Sequence, residues 1–292
     1  MVKLIETDPS AGFCFGVEKA IDTAEALLKE GEPVYGLGEM VHNEEETGRL
    51  RRLGLKTVSR DDFPVIGPAA VILRAHGEPP STYTLAEKYG IGIIDATCPI
   101  VLSLQKKIAK RYRELDKESE QIVIFGKEGH PETVGLMGQT RGEAVLVTDP
   151  GEISHVDPGK KIFLYSQTTM DPDRFRELEK NLGKRVAVGK SKGLVSNCTI
   201  CNQMKRRKPD LKAFAQKHDR VIFVSGKSSS NGKMLFEYCR KHNSNSHWIH
   251  GLEDIDPQWV KEEGSIGISG ATSTPVWQLE QVKKQLESFI NS

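Results

Sequence analysis

One pattern governs what this chain can fold into: a short apolar stretch, a polar loop and an amphipathic stretch, repeated along its length. "AAVILRA" runs into "HGEPP" and "STYTLAEKYG", and "IGIID" into "ATCP" and "IVLSLQKKIAKRYREL". "QIVIFG" runs into "KEGHPE" and "TVGLMGQT", and "KKIFLYS" into "QTT" and "MDPDRFRELEKNL". "RVIFVS"–"GKSSSN"–"GKMLFEYCRKH" and "SIGIS"–"GATSTP"–"VWQLEQVKKQLESFI" complete the series. Parallel strands cannot be joined by a tight hairpin and need a crossover, usually a helix. The alternation therefore predicts an α/β fold with mainly parallel sheets. At 292 residues the chain exceeds one small core, and domains of about 100–150 residues are expected. Cys14, Cys98 and Cys201 recur 84 and 103 residues apart, each about the length of one small domain, and each stands just before a helical segment. The expected organisation is three similar α/β lobes, at 14–97, 98–197 and 198–280. The ends, 1–13 and 281–292, are expected to pack on them.

Composition narrows the partners. Lysine and arginine total 41 against 40 aspartates and glutamates, so no charge excess argues for a nucleic-acid ligand. The opening "MVKLIETDPSAG" lacks the apolar core of a signal peptide, and no apolar run reaches the roughly 18–20 residues of a membrane span. Five cysteines, an odd number, do not form a disulfide framework. These features predict a soluble, cytoplasmic protein with no membrane partner, whose thiols are reduced, reactive or metal-bound.

In parallel sheets, ligands collect at the carboxyl ends of strands, beside helix N-termini. His42, His76, Cys98, His130, Glu132, Thr168, Ser229, Asn231 and Ser273 all follow apolar stretches, and their convergence predicts one shared site. Pro99, after Cys98 in "DATCP", suits a first helical position. His42, His76 and His130, with the hydroxyl and amide groups of "SSSN" and "TST", suit an anionic phosphate; zinc is the weaker alternative. His155, His218, His242, His247 and His250 read as surface or satisfied core residues. The C-x-x-C of "NCTIC" has neither the early position of a thioredoxin motif nor the companion ligands of a zinc site. Cys198 and Cys239 read as buried small residues. "VGKS" and "SGKS" mimic a phosphate loop, but Lys184 and Val221 stand where its first glycine belongs.

The ordered set "GFCFGV", "VHN", "AHG", "DATCP", "GHPE", "QTT", "TIC", "SSN" and "STP" resembles the 4-hydroxy-3-methylbut-2-enyl diphosphate reductase family almost from end to end. The resemblance implies three lobes around a central cleft holding a [4Fe–4S] cluster. Cys14, Cys98 and Cys201 would be its ligands, leaving one iron open to substrate oxygen. In "NCTIC", the resemblance implies that only the second cysteine would be a ligand. His42, His76, His130, Ser229, Ser230, Asn231 and Ser273 would surround the diphosphate. Glu132 would donate the proton, working with Thr168. The implied reaction is a two-electron loss of the allylic hydroxyl, giving isopentenyl or dimethylallyl diphosphate. Ferredoxin or flavodoxin would supply the electrons, and a monomer is the expected state. Lys205, Arg206, Arg207 and Lys208 form a basic run that would attract an acidic donor.

Some positions depart from the family pattern: Asn202, Gln203 and Met204 after Cys201, the Gly270–Ala271–Thr272 turn, Gly232 and Val276. Two rival readings remain at this point. One is a non-catalytic iron–sulfur or phosphate-binding regulator. The other is a zinc-dependent phosphoesterase built on His42, His76 and His130.

Overall fold

The structure, a computed structural model, describes residues 2–31, 33–188 and 193–291. The "VGKS" stretch runs into residues 189–191, outside the described residues. The chain opens with β1 (Val2–Thr7), α1 (Phe15–Lys29), β2 (Val34–Leu37), α2 (Glu44–Arg52) and β3 (Lys56–Val58). A short α3 (Phe63–Ile66) precedes β4 (Ala70–Leu73), α4 (Pro80–Lys88), β5 (Gly92–Asp95) and α5 (Pro99–Arg113). Next come β6 (Glu120–Phe125), α6 (Pro131–Gly138), β7 (Val145–Val147), β8 (Lys161–Ser166), α7 (Pro172–Val188) and β9 (Leu194–Ser196). The last part holds α8 (Asn202–Lys217), β10 (Arg220–Val224), α9 (Ser230–His242), β11 (Ser246–Ile249), β12 (Gly264–Gly270) and α10 (Val276–Ile290).

The strands form three four-stranded sheets, ordered β3-β2-β4-β5, β7-β6-β8-β9 and β1-β12-β10-β11. Pairing is parallel between β4 and β5, throughout the second sheet and throughout the third. The expected α/β class with parallel sheets is what the chain adopts. Residues 2–7, left among the terminal residues by the sequence reading, form β1, an edge strand whose Ile5 lies opposite Ile266.

By compactness the chain divides into two units, residues 1–57 with 206–292, and residues 58–205. Within the first, Ile222, Val224, Ile249, Ile266 and Ile268 meet Leu279, Val282 and Leu286 of α10. Within the second, Ile122, Ile124 and Phe163 meet Leu104 and Ile108 of α5 and Leu136 of α6. Each fully buried side chain of this size contributes roughly 1.5–3 kcal/mol. Every residue of β10 is buried, as a strand covered on both faces requires. Among the described residues no helix is long and apolar enough to cross a membrane.

Candidate functional site

The expected site residues fall into two groups, one in each unit. In the unit 58–205 they form a connected chain. Cys98 caps the N-terminus of α5, with Pro99 as the first helical residue, and its backbone N–H donates to the Ala75 carbonyl at 3.0 Å. That bond sets Cys98 beside the turn that carries His76. Gly77 completes the turn with φ +73°, and a Cβ there would lie 2.7 Å from Gln105 Nε2 and 2.9 Å from Thr97 Cγ2. Only glycine meets both demands. Asp95, at the end of β5, fastens the same loop by accepting from the Thr97 N–H at 2.9 Å.

The His76 ring meets His130 edge to face, with centroids 5.2 Å apart. His130 caps α6, its Nδ1 accepting from the Glu132 N–H at 3.2 Å. Glu132 is only 1% exposed. Its Oε1 accepts from the Thr168 N–H at 2.7 Å and its Oε2 from the Thr168 hydroxyl at 2.9 Å. Burial pushes the Glu132 pKa up to about 7, against the two Thr168 hydrogen bonds that favour the charged form. The Thr168 carbonyl in turn accepts from the Cys201 N–H at 2.9 Å. Cys201 stands immediately before α8.

Gln167 had not been singled out, although it opens the "QTT" motif. Buried, its Oε1 accepts from the Lys127 N–H and the Thr133 hydroxyl, and its Nε2 donates to Thr169. It ties the loop before His130 to the turn that presents Thr168.

The other unit holds Cys14, His42, Ser229, Ser230, Asn231 and Ser273. Cys14 caps α1 and donates its backbone N–H to the Thr272 carbonyl at 3.1 Å. The Thr272 hydroxyl accepts from Asn231 Nδ2 at 2.7 Å. Ser229 caps α9 by accepting from the Gly232 N–H, and its hydroxyl lies 3.0 Å from that of Ser273. Ser230 is the first residue of α9. His42 precedes Asn43, which caps α2 and donates to Gln278 Oε1 of α10 at 2.9 Å. Glu44 accepts from the Lys227 and Ser228 N–H groups at 3.0 and 3.2 Å, holding the serine-rich loop to the turn after His42. Partial burial works to raise the Glu44 pKa, but backbone N–H donors outweigh it and hold the carboxyl below its ordinary value. Glu44 carries no sequence signal for this role, while Thr272 belongs to the "TST" stretch expected at the site.

One departure from the family pattern has a packing cause. A Cβ on Gly232 would stand 2.2 Å from Ser225 Oγ. Ser225 is fully buried and accepts from Trp248 Nε1 at 2.9 Å, so glycine at 232 leaves room for that bond. Val276 is 55% exposed, while Met204 is buried and Asn202 and Gln203 are exposed.

Two expectations need correcting. Cys198 is exposed, not buried: it lies in the loop after the short edge strand β9. Arg207, expected in the basic run that would attract an acidic donor, is turned inward and does not belong to an exposed basic surface. It is 2% exposed and donates to Asp8 at 2.8 Å, Ser10 at 2.6 Å, Ser269 at 2.7 Å and the Gly270 carbonyl at 2.9 Å. Burial works to raise the Asp8 pKa, and Arg207 with Ser10 and Ser269 brings it below the ordinary value. Cys239 is fully buried in an apolar cluster with Leu211, Phe223 and Leu235, as read from its helix. The remaining histidines are occupied structurally: His155 on the Leu146 carbonyl, His218 on that of Phe214, His250 on that of Ser225, and His247 stacked on Trp259. His242 packs edge to face on Tyr238.

The family model described as "LytB protein" matches residues 5–287. The chain belongs to the LytB family. Its relatives include the 4-hydroxy-3-methylbut-2-enyl diphosphate reductase of Bacteroides thetaiotaomicron, 48% identical over 290 residues, 99% of either chain. The enzyme of the same name from Chloroherpeton thalassium is 40% identical, covering 97% of this chain and 96% of its own. Among solved structures, an (E)-4-hydroxy-3-methyl-but-2-enyl diphosphate reductase described as the terminal enzyme of the non-mevalonate pathway superposes with a TM-score of 0.74. It is 31% identical and covers 98% of this chain and 99% of its own. The E-1-hydroxy-2-methyl-but-2-enyl-4-diphosphate reductase of Plasmodium falciparum gives a TM-score of 0.83 at 26% identity, covering 97% of this chain and 88% of its own.

Proposed function

We propose that this LytB chain removes the allylic hydroxyl of (E)-4-hydroxy-3-methylbut-2-enyl diphosphate, forming isopentenyl and dimethylallyl diphosphate. Each turnover takes up two electrons and two protons and releases one water. The observation that carries the reading is Glu132: a fully buried carboxyl with its pKa near 7, fixed by Thr168, which also bonds the backbone of Cys201. A family whose relatives bear the reductase name supplies the substrate.

Cys14, Cys98 and Cys201 fit an iron–sulfur cluster as thiolate donors. None is in a disulfide, all three are partly exposed, and each stands at the start of a helix with its backbone N–H tied to a loop carbonyl. The exposed Cys198 and the buried Cys239 lack this setting. A [4Fe–4S] cluster held by the three would supply electrons and a Lewis-acidic iron.

Glu132 handles the proton. The Thr168 N–H can only donate, so it claims a lone pair on Oε1. The acidic proton therefore resides on Oε2, where the Thr168 hydroxyl turns from donor to acceptor and relays it. A pKa near the working pH suits a group that must give a proton and regain it each cycle. The edge-to-face pair His76 and His130 and the hydroxyls of Ser229 and Ser273 bind the diphosphate, together with His42, Ser230 and Asn231. Asn231 Oδ1 is buried without a hydrogen-bond partner among the described residues. Turning the amide over, so that Oδ1 accepts from Thr272, gives a phosphate oxygen the Nδ2 donor.

The decisive experiment is purification without oxygen, followed by metal and sulfide analysis and turnover with dithionite and methyl viologen. About four iron and four sulfide per chain, with both isomeric products, are expected. A colourless, zinc-only protein that hydrolyses phosphate esters would overturn the reading in favour of a phosphoesterase. A cluster-bearing protein with no turnover would favour a regulator. Asn231→Ala and His42→Ala should each weaken pyrophosphate binding about ten- to a hundredfold, the loss of one hydrogen bond to a charged group. Calorimetry reads the affinity, and the cluster spectrum should not change.

A further inference from the structure

Resting on the reductase reading, we infer that a cleft on the unit 58–205 is the docking surface for an acidic, one-electron carrier protein. The cleft holds about 520 Å³ and runs along the first turns of α5 and the 198–205 segment. Cys201 lines it, as does Pro99, the residue after Cys98. An occupant therefore meets one proposed cluster ligand, Cys201, directly and stands against the residue that follows another, Cys98.

Its chemistry selects the occupant. Lys107 and Lys205 line the cleft, both exposed, and no carboxylate does. Neither lysine forms an ion pair among the described residues; Lys107 only overlooks the Tyr165 ring, at 5.9 Å. Ile100 adds an apolar surface that is 45% exposed. Unpaired cations around an apolar centre match a partner with carboxylates around its own redox group. The buried Arg207 takes no part, so the basic run contributes to this surface through Lys205 alone. The reaction consumes two electrons for each water released, and two encounters with a reduced one-electron carrier supply them.

The test reverses both charges, in Lys107→Glu/Lys205→Glu, with Lys180→Glu/Lys184→Glu as a control of equal net charge. The probe is a plant-type [2Fe–2S] ferredoxin, an acidic carrier of this class. At low salt the cleft variant should bind it at least about tenfold more weakly than the parent chain, since steering charges change association by 10–10³-fold. Turnover driven by reduced ferredoxin should fall in parallel. Turnover driven by dithionite and methyl viologen should be the same in the parent and both variants, and raising the salt should erase most of the difference. Equal ferredoxin affinity in the parent and the cleft variant would overturn the proposal, as would equal weakening in the control. If the parent fails to turn over even with the chemical reductant, the reductase reading falls; the binding comparison still decides whether this surface takes an acidic carrier.

Discussion

Glu132→Gln should turn over about 10²–10⁴-fold more slowly than the parent chain, the range for a positioned proton donor. Glutamine keeps the shape, and its amide can satisfy Thr168 through a carbonyl on the N–H and an NH₂ on the hydroxyl. What it lacks is an acidic proton on the atom facing Thr168 Oγ1. The cluster spectrum should be unchanged and should still respond to substrate. Stability should move the other way. Folding raises the Glu132 pKa from 4.5 to about 7, so the fold favours the neutral carboxyl. The stability this contributes is complete below pH 4.5 and is lost as the pH rises through 7. Glutamine stays neutral throughout. The variant should therefore match the parent at low pH and gain on the order of 3 kcal/mol over it near pH 8. Urea unfolding of the two proteins without cluster, at both pH values, reads this difference. Turnover within a few-fold of the parent under saturating reductant would remove Glu132 as the donor. A difference in stability that ignores pH would show that the carboxyl is not shifted.

Cys14→Ser, Cys98→Ser and Cys201→Ser should each abolish or severely diminish the iron–sulfur absorption, and turnover with it. A serine hydroxyl is a harder, far less acidic donor than a thiol and makes a poor replacement on iron. Folding should survive, because each cysteine is fixed by its backbone N–H: to Thr272 from Cys14, to Ala75 from Cys98 and to Thr168 from Cys201. Cys198→Ser, at an exposed loop position, should keep the full spectrum. So should Cys239→Ser, at some cost in stability, because Cys239 is wholly buried with its sulfur 3.5 Å from Ser246 Oγ. Anaerobic reconstitution followed by iron analysis and absorption spectroscopy measures all five variants. Loss of the cluster from Cys198→Ser, with retention in Cys201→Ser, would invert the assignment within "NCTIC".

Much of this arrangement is legible in the sequence because it is local. Apolar runs as dense as "QIVIF" and "RVIFV" leave little choice but buried strands, and a cysteine or histidine followed by proline marks a helix start in "TCPI" and "GHPE". The positions of Cys98, His130 and Glu132 follow from that grammar. Contacts between distant segments do not. Nothing near "MVKLIET" announces that its partner strand is Gly264–Gly270. A run of four basic residues reads as one surface for an acidic donor until the turn of α8 that carries Arg207 inward toward Asp8 is seen. Cys198 misled for a related reason, since its small apolar character says nothing about the edge strand it follows. Glu44 and Gln167 act on backbone N–H groups far along the chain, and a backbone donor has no letter of its own in the sequence.

The pairing of β1 with β12 has a consequence for how the protein is made. β1 is an edge strand with one neighbour, and that neighbour, β12, is synthesised long after it. The Asp8–Arg207 ion pair likewise joins residues 199 positions apart. Residues 58–205 are contiguous, so their sheet and the surroundings of Cys98, Glu132 and Cys201 can form while the rest of the chain is still on the ribosome. The first strand, and the loop that leads to Cys14, must instead wait on the order of tens of seconds for their partners to emerge. Over that interval an apolar strand without a neighbour is open to wrong pairings, so a segment made well before its partner settles only after that partner has appeared.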